Sequence, residues 1–219
     1  MNLLKLFKKC LDRNYISVEN SADYAIERKG KTLYIYLECS DGATDWKNNF
    51  DFPAKPYKRM GKTVWFAHRG FLRVWKSIEP YIYADIMDKT VKKIVIVGFS
   101  HGAALAVLCH EYVWYNRPDI RENIIGYGFG CPRVFWGIKT KKLKERWKQF
   151  TVIRNIDDIV THVPPCLFGF SHVGKIMKIG KRGRYSRIDA HRPESITEQL
   201  EDYEKRKRKL RNKKCENKR

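Results

Sequence analysis

One stretch of the chain constrains its fold more than any other, because a strand, a tight turn and a helix follow one another directly. Residues 93–97 read KIVIV, an apolar and β-branched run typical of a strand covered on both faces. Residues 98–102 read GFSHG, a GxSxG pattern, and a helix predicted over 102–115 begins with small residues. Side chains two positions either side of Ser100 would collide in so tight a turn, so its glycines indicate a nucleophile elbow. An ordinary glycine-rich turn with an incidental serine is the alternative.

The remaining patterns alternate between strand and helix. Strands are predicted over 31–38, 61–67, 124–129 and 150–155. Helices are predicted over 71–88, with a break or restart at Pro80, and over 141–149. This alternation predicts an α/β fold with a mostly parallel central sheet flanked by helices.

Composition limits what such a chain can do. With 219 residues, 43% of them hydrophobic, it can form one globular domain. Lys and Arg number 45 against 24 Asp and Glu, a net charge of +21, which favours anionic partners such as nucleic acid or acidic lipid headgroups. No apolar run approaches the roughly 18 residues of a transmembrane helix. The first nine residues lack the apolar stretch of a secretory signal, so we expect them to form a docking or fraying terminus, or a small interfacial helix.

The cysteines indicate the compartment. Six are scattered without the short paired spacing of a zinc or redox site. We therefore expect free thiols in a reducing compartment, and a cytoplasmic or intracellular protein with possible peripheral contact to a membrane.

A serine nucleophile needs a base, and the base needs an orienting carboxylate. Asp157 and Asp158 follow the predicted strand 150–155, and open α/β sheets place site residues at the carboxyl ends of their strands. Three histidines lie downstream of these carboxylates. They are His162, His172 and His191. The residue pattern alone does not choose among them.

Five segments in order resemble the class 3 lipases, the fungal-type lipase family of the α/β-hydrolase superfamily. The elbow GFSHGAALA resembles that family's GHSLGGALA signature, and residues 128–134 (GFGCPRV) resemble its TFGxPRVG segment. Residues 155–165 (NIDDIVTHVPP) are similar to NxxDxVPxLPP, which implies that Asp158 is the triad acid. The segment at 189–192 resembles DHxxxxY, which implies that His191 is the catalytic base. His172 then matches a structural histidine.

The resemblance also implies an oxyanion hole. One donor is the backbone N–H of His101, and the other is Ser40, although Glu38 and Cys39 depart from the family's usual Arg and Gly. The segment that follows Ser40 can act as a lid in this family. Its candidate substrate-contacting residues are Trp46, Phe50 and Phe52, and the alternative is that they pack under a rigid loop.

Beyond about residue 200 the chain is nearly all charged, so we expect a basic tail over 204–219 that is disordered or frays from the preceding helix. We expect an N-terminal helix or arm over 1–19. The resemblance covers the class 3 lipase-like domain over 20–203. It implies lipid ester hydrolysis through a Ser-Asp-His triad and an acyl-enzyme, as in an acylglycerol lipase or a phospholipase A, with no metal or cofactor. A small-ester carboxylesterase, a peptidase or thioesterase, and a non-catalytic basic protein that binds nucleic acid or membrane remain alternatives. Nucleic acid is the less favoured partner because no nucleic-acid-binding motif is visible. Oligomeric state is left open.

Overall fold

A computed structural model describes residues 2–19, 22–38, 51 and 53–216. Its strands, in chain order, are β1 (Ile16–Val18), β2 (Ala22–Lys29), β3 (Thr32–Leu37), β4 (Ala54–Arg59), β5 (Lys62–His68), β6 (Lys93–Phe99), β7 (Ile124–Phe129), β8 (Phe135–Trp136), β9 (Phe150–Asn155), β10 (Phe170–Ser171) and β11 (Lys175–Ile179). Its α-helices are α1 (Leu3–Leu11), α2 (Arg69–Met87), α3 (His101–Asn116), α4 (Lys141–Arg146) and α5 (Pro193–Glu216).

Seven strands form the large sheet, in the order β1-β2-β3-β6-β7-β9-β11. The five strands from β3 to β11 are parallel, and β2 and β1 complete one edge in antiparallel pairing. The prediction of a mostly parallel sheet is therefore confirmed. Because parallel strands end together, the loops after β6, β7 and β9 meet at the carboxyl edge of the sheet.

Helices cover both faces of the large sheet. Successive residues of β6 alternate between the two cores: Ile94 and Ile96 pack with α2 and α3, while Val95 and Val97 pack with α1 and α5. Helix α3 is buried on every side over residues 101–113. This two-sided burial explains why β6 is apolar without alternation.

Helix α1 presents one apolar face to the sheet. The Asn2 side chain accepts a hydrogen bond from the backbone N–H of Lys5 and so caps the helix. The buried residues repeat at three- and four-residue spacing, as in an amphipathic helix, and they are Leu3, Leu6, Phe7 and Cys10. Since this face is occupied by the protein core, the interfacial-helix alternative is wrong for these residues, and the docking alternative is confirmed.

A second sheet of four strands, in the order β10-β8-β5-β4, was not predicted. It is antiparallel, and the two pairings made by β8, with β5 and with β10, join residues distant in the chain, for example Phe66 with Trp136. Its strands β8 and β10 have only two residues each, too short to give a periodic pattern in the sequence.

Two further predictions require correction. Helix α2 runs through Pro80 without a break. Pro80 is on the exposed side, while Val74, Trp75, Ile78 and Ile82 on the buried side pack into the core and hold the helix together.

Helix α5 continues to Glu216, where a disordered tail was expected from residue 204. Lys, Arg and Glu, which dominate this segment, are good helix formers and extend a helix already anchored by Ile196 and Leu200. None of the helices described is long and apolar enough to cross a bilayer.

Candidate active site

Ser100 occupies the turn between β6 and α3 in a backbone conformation that few residues adopt. Its φ of 54° and ψ of −121° are typical of a sharp strand-to-helix turn under strain. The backbone N–H of Ser100 donates to the carbonyl of Phe129 at 2.9 Å, which ties the turn to the end of the neighbouring strand β7. The serine hydroxyl is thereby held at the carboxyl edge of the sheet, beside the N-terminus of α3.

The two elbow glycines permit this turn because other backbone atoms occupy the space a side chain would need. A Cβ on Gly98 would overlap the carbonyl of Gly102, and a Cβ on Gly102 would overlap the carbonyl of Leu37. The second contact also shows that the end of β3 lies directly against the first turn of α3. The steric argument made from the sequence is confirmed, with backbone atoms as the obstacle.

Three predicted side chains form one hydrogen-bonded chain. The Ser100 hydroxyl lies 2.7 Å from His191 Nε2, and His191 Nδ1 lies 2.8 Å from Asp158 Oδ2. A neutral imidazole with its proton on Nδ1 satisfies both contacts, since Nδ1 then donates to the carboxylate and Nε2 accepts from the hydroxyl. Ser100 and Asp158 are buried and His191 is half-buried.

Asp158 is oriented by the turn that follows β9. One carboxylate oxygen, Oδ1, accepts from the backbone N–H of Val160 at 2.9 Å, and the other faces His191. The Thr161 hydroxyl and His162 Nδ1 both donate to the Asp158 backbone carbonyl, at 2.8 and 3.1 Å. Both carboxylate oxygens are therefore engaged, and the residue has no freedom to turn away from His191.

Sequence reasoning gave no role to three residues that hold His191. The Asn155 amide donates to the Ala190 carbonyl at 2.9 Å, which anchors the residue next to the histidine. Phe99 stacks on the His191 ring with centroids 5.3 Å apart. Gly130 has a φ of 58°, and a Cβ there would lie 2.8 Å from His191 Cε1. Asn155 and Gly130 belong to the segments 155–165 and 128–134, and the resemblance of these segments to the class 3 lipases could have indicated that both residues matter. Phe99 is part of the elbow itself.

The other aspartate and histidines considered for the triad form hydrogen bonds with residues other than Ser100 and His191. Asp157 Oδ2 accepts from the backbone N–H of Gly183 at 2.6 Å. His172 Nε2 donates to the Thr161 carbonyl at 2.7 Å, and burial lowers its pKa to about 4, so it is a neutral structural residue. Burial, with the nearby Arg154 guanidinium, also lowers the pKa of His162. Burial raises the pKa of the Cys131 thiol, whose Sγ donates to the Pro132 carbonyl, so this nearby cysteine is not an activated nucleophile.

The predicted oxyanion hole is described in part. His101 is the first residue of α3, immediately after the nucleophile, and its ring packs 5.2 Å from that of Phe71. Ser40 and the lid candidates Trp46, Phe50 and Phe52 lie outside the described residues. Among the residues that are described, no group of three His, Cys, Asp or Glu side chains is arranged to hold a metal ion.

Comparison with known proteins assigns the family. The model of the lipase (class 3) family matches residues 34–168, well over half of the chain. The chain belongs to the class 3 lipase family. It is 27% identical over 150 residues to a lipase of Rhizomucor miehei, a match that covers 66% of this chain and 41% of that protein. The chain thus spans about two fifths of the length of this curated relative.

Solved lipases share the fold. The lipase of Rhizopus microsporus var. chinensis superposes with a TM-score of 0.66 at 22% identity, covering 87% of this chain and 71% of that one. A triacylglycerol lipase whose catalytic centre is described as a serine protease triad gives a TM-score of 0.60 at 24% identity, covering 77% and 66%. The α/β-hydrolase fold implied by the sequence segments is confirmed.

Proposed function

We propose that this protein is a serine hydrolase that cleaves the carboxylic esters of lipids. The observation that carries the proposal is the hydrogen-bonded chain from Ser100 through His191 to the buried Asp158, set on a strained elbow. Membership of the class 3 lipase family supports the ester substrate, as do the names of the similar fungal proteins, which are lipases. We assign Ser100 as nucleophile, His191 as base and Asp158 as the acid that orients it.

The reaction has two halves. His191 Nε2 takes the proton of the Ser100 hydroxyl while Oγ forms a bond to the ester carbonyl carbon, and the carbonyl oxygen becomes an oxyanion. The carbon–oxygen bond to the alcohol then breaks, His191 returns the proton to the departing alcohol, and an acyl-enzyme remains. Water, deprotonated by His191, attacks the acyl carbon and releases the carboxylic acid with Ser100 restored.

Asp158 contributes by stabilising the imidazolium that forms in both halves. Its carboxylate lies 2.8 Å from Nδ1 and is buried, so its charge acts through a medium of low dielectric. The oxyanion forms beside the N-terminus of α3, where the backbone N–H of His101 and the helix dipole favour negative charge. We assign Ser40 as the second donor, because β3, which ends three residues before it, abuts Gly102 at the elbow.

Hydrolysis of p-nitrophenyl esters from acetate to palmitate tests the proposal. We expect Ser100→Ala to lower kcat/KM by at least roughly a thousandfold, because the covalent step is lost. Ser17→Ala, which removes the hydroxyl of an exposed serine in β1, serves as the matched control and should match the wild type. Equal rates in Ser100→Ala and wild type would reject the proposal.

The same ester series separates a lipid hydrolase from a small-ester carboxylesterase. An optimum at long acyl chains supports a lipase or phospholipase, whereas an optimum at acetate or butyrate supports a small-ester carboxylesterase. A peptidase or thioesterase would hydrolyse amide or thioester analogues faster than the oxygen esters.

We further propose that the enzyme works at anionic membrane surfaces. The net charge of +21 supports this, and residues 205–209 of α5 form a run of exposed Lys and Arg. Each such side chain near an anionic bilayer contributes about 1 kcal/mol, a contribution screened by salt. An intracellular location stays a prediction.

A further inference from the structure

The second sheet carries exposed apolar side chains that contact one another. Phe66 of β5 and Trp136 of β8 are paired in register, with rings edge to face at 5.5 Å. The Trp136 indole N–H donates to the Phe168 carbonyl at 2.8 Å, which brings Leu167 and Phe168 to the same surface. Leu167 is 93% exposed and Phe168 is 57% exposed. We call the surface formed by Phe66, Trp136, Leu167 and Phe168 the apolar patch.

The apolar patch is connected to the loops around Ser100 and His191. Strand β8 begins six residues after β7 ends, and Gly130, within that link, lies so near His191 that an added Cβ would be 2.8 Å from its Cε1. Leu167 and Phe168 belong to the loop after β9, which also carries Asp158. Arg133 joins the two loops, since its guanidinium donates to the carbonyls of His162 and Pro164. The two chain segments that build the site therefore also carry Trp136, Leu167 and Phe168 of the apolar patch.

Three cations in or next to the segments that carry the apolar patch form no ion pair with a carboxylate among the described residues. Arg133 bonds to backbone carbonyls, Lys139 to the His172 carbonyl and Arg154 to His162 Nε2. No ion pair found in the described part of the chain includes any of these three half-buried side chains. Burial and a neighbouring cation lower the pKa of Lys139 and of Arg154, although Asp158 acts in the opposite direction on Arg154. The region thus carries excess positive charge.

We propose that the apolar patch is the surface through which the protein docks on an anionic lipid bilayer. Leu167, Phe168 and Trp136 insert among the acyl chains, and the charges of the half-buried Arg133, Lys139 and Arg154 attract the anionic headgroups. A second copy of this chain is the less suitable occupant, because it would bring the same cations face to face in a protein of net charge +21. The proposal rests on the proposed function and deepens it, because it assigns a docking surface to a lipid hydrolase.

Sedimentation with vesicles tests the docking surface on the full chain. Ser100→Ala is the parent, so that the lipid is not hydrolysed, and the vesicles are phosphatidylcholine alone or phosphatidylcholine with phosphatidylserine. We expect the parent to partition more strongly to the anionic vesicles. Adding Leu167→Ser should lower that partition coefficient about tenfold, since it removes most of the free energy that the leucine side chain gains when it is buried among the acyl chains. Adding Phe168→Ser as well should lower it further.

Met60→Ser is the matched control, because Met60 is 88% exposed and lies in the β4–β5 turn at the far end of the hairpin from the patch. We expect it to change partition by less than about twofold. The melting midpoint of each variant shows whether it folds. If the double variant does not fold, the test uses the single Leu167→Ser variant alone.

Three outcomes would overturn the docking surface. Leu167→Ser could bind like the parent, the two vesicle types could bind the parent equally at low salt, or light scattering could show a dimer that Leu167→Ser dissociates without a change in vesicle binding. The last result would assign the patch to self-association. If Ser100→Ala keeps full esterase activity, the proposed function fails while the partition result still stands, so the two failures are distinguishable.

Discussion

At the scale of single residues, His110 and His172 link the stability of the protein to pH. His110, in α3, contacts Phe150 edge to face, and burial lowers its pKa to about 4. The pKa of His172 is also about 4. Both are neutral in the folded protein at pH 7, while the unfolded chain binds protons at these positions below a pKa of about 6.5. The unfolded state thus holds more protons between these values, so stability is fully present above pH 6.5 and is lost as pH falls toward 4.

We therefore expect the free energy of unfolding to fall by about 2 kcal/mol per histidine between pH 7 and pH 5. Urea denaturation at the two pH values measures this change. Carboxylates contribute little in this window because their pKa values in the unfolded chain lie near 4. His110→Gln should remove the contribution of about 2 kcal/mol from His110 to the pH dependence, whatever its effect on stability at pH 7. An unchanged pH dependence in this variant would contradict the assignment.

The sequence was most informative where one residue type performs one steric or chemical role. The pattern GFSHG and the strand before it located Ser100, because only glycine fits where the backbones of β3 and α3 meet. Residue pattern alone did not separate Asp157 from Asp158, because the directions of adjacent side chains in a turn depend on the local backbone conformation. It also left three histidines open, because their distances to Ser100 depend on how the loops after β9 and β11 fold. The family resemblance singled out His191, the histidine that the structure places against Ser100.

At the scale of elements, α1 supports the site through a series of rings. Phe7 is fully buried and lies 5.5 Å from Phe99 and 4.7 Å from Phe129, and Phe99 in turn stacks on His191. The helix is also joined to α5, where the Glu204 carboxylate accepts from the backbone N–H of Leu3 at 3.0 Å. The N-terminal helix is therefore part of the folded core.

We expect Phe7→Ala to lower the free energy of unfolding by about 4 kcal/mol, the usual effect of truncating a buried phenylalanine. Chemical denaturation measures the change. Lys5→Ala, on the exposed side of the same helix, should change it by no more than about 0.5 kcal/mol. Similar effects of the two substitutions would show that α1 does not dock as described.

Elements with strong one-dimensional patterns were predictable, and the others were not. Strands β7 and β9 were predicted with the bounds that the structure shows, because they are central and apolar. Strand β4 reads AKPYKR, with a proline and three cations that do not indicate a strand, and it forms by pairing with β5. Strand β11 reads KIMKI, and its place at the sheet edge explains its exposed lysines.

At the scale of the whole molecule, the order of strands in the large sheet and the presence of a second sheet depend on contacts between distant residues. Phe66 pairs with Trp136 across 70 positions, and no local pattern encodes that pairing. The alternation of strands and helices did predict the fold class, and the carboxyl-edge rule did predict where the site lies. The apolar patch belongs to the unpredicted sheet, so it became apparent only from the structure.

The central claim is that Ser100 is a nucleophile activated by His191, and covalent labelling tests it most directly. A p-nitrophenyl phosphonate ester should lose p-nitrophenolate as Ser100 Oγ bonds to phosphorus, giving a single adduct by intact-protein mass spectrometry and peptide mapping. We expect no adduct in Ser100→Ala, and labelling of His191→Ala slower by at least roughly a thousandfold. An adduct on another residue, or labelling of His191→Ala at the wild-type rate, would contradict the account.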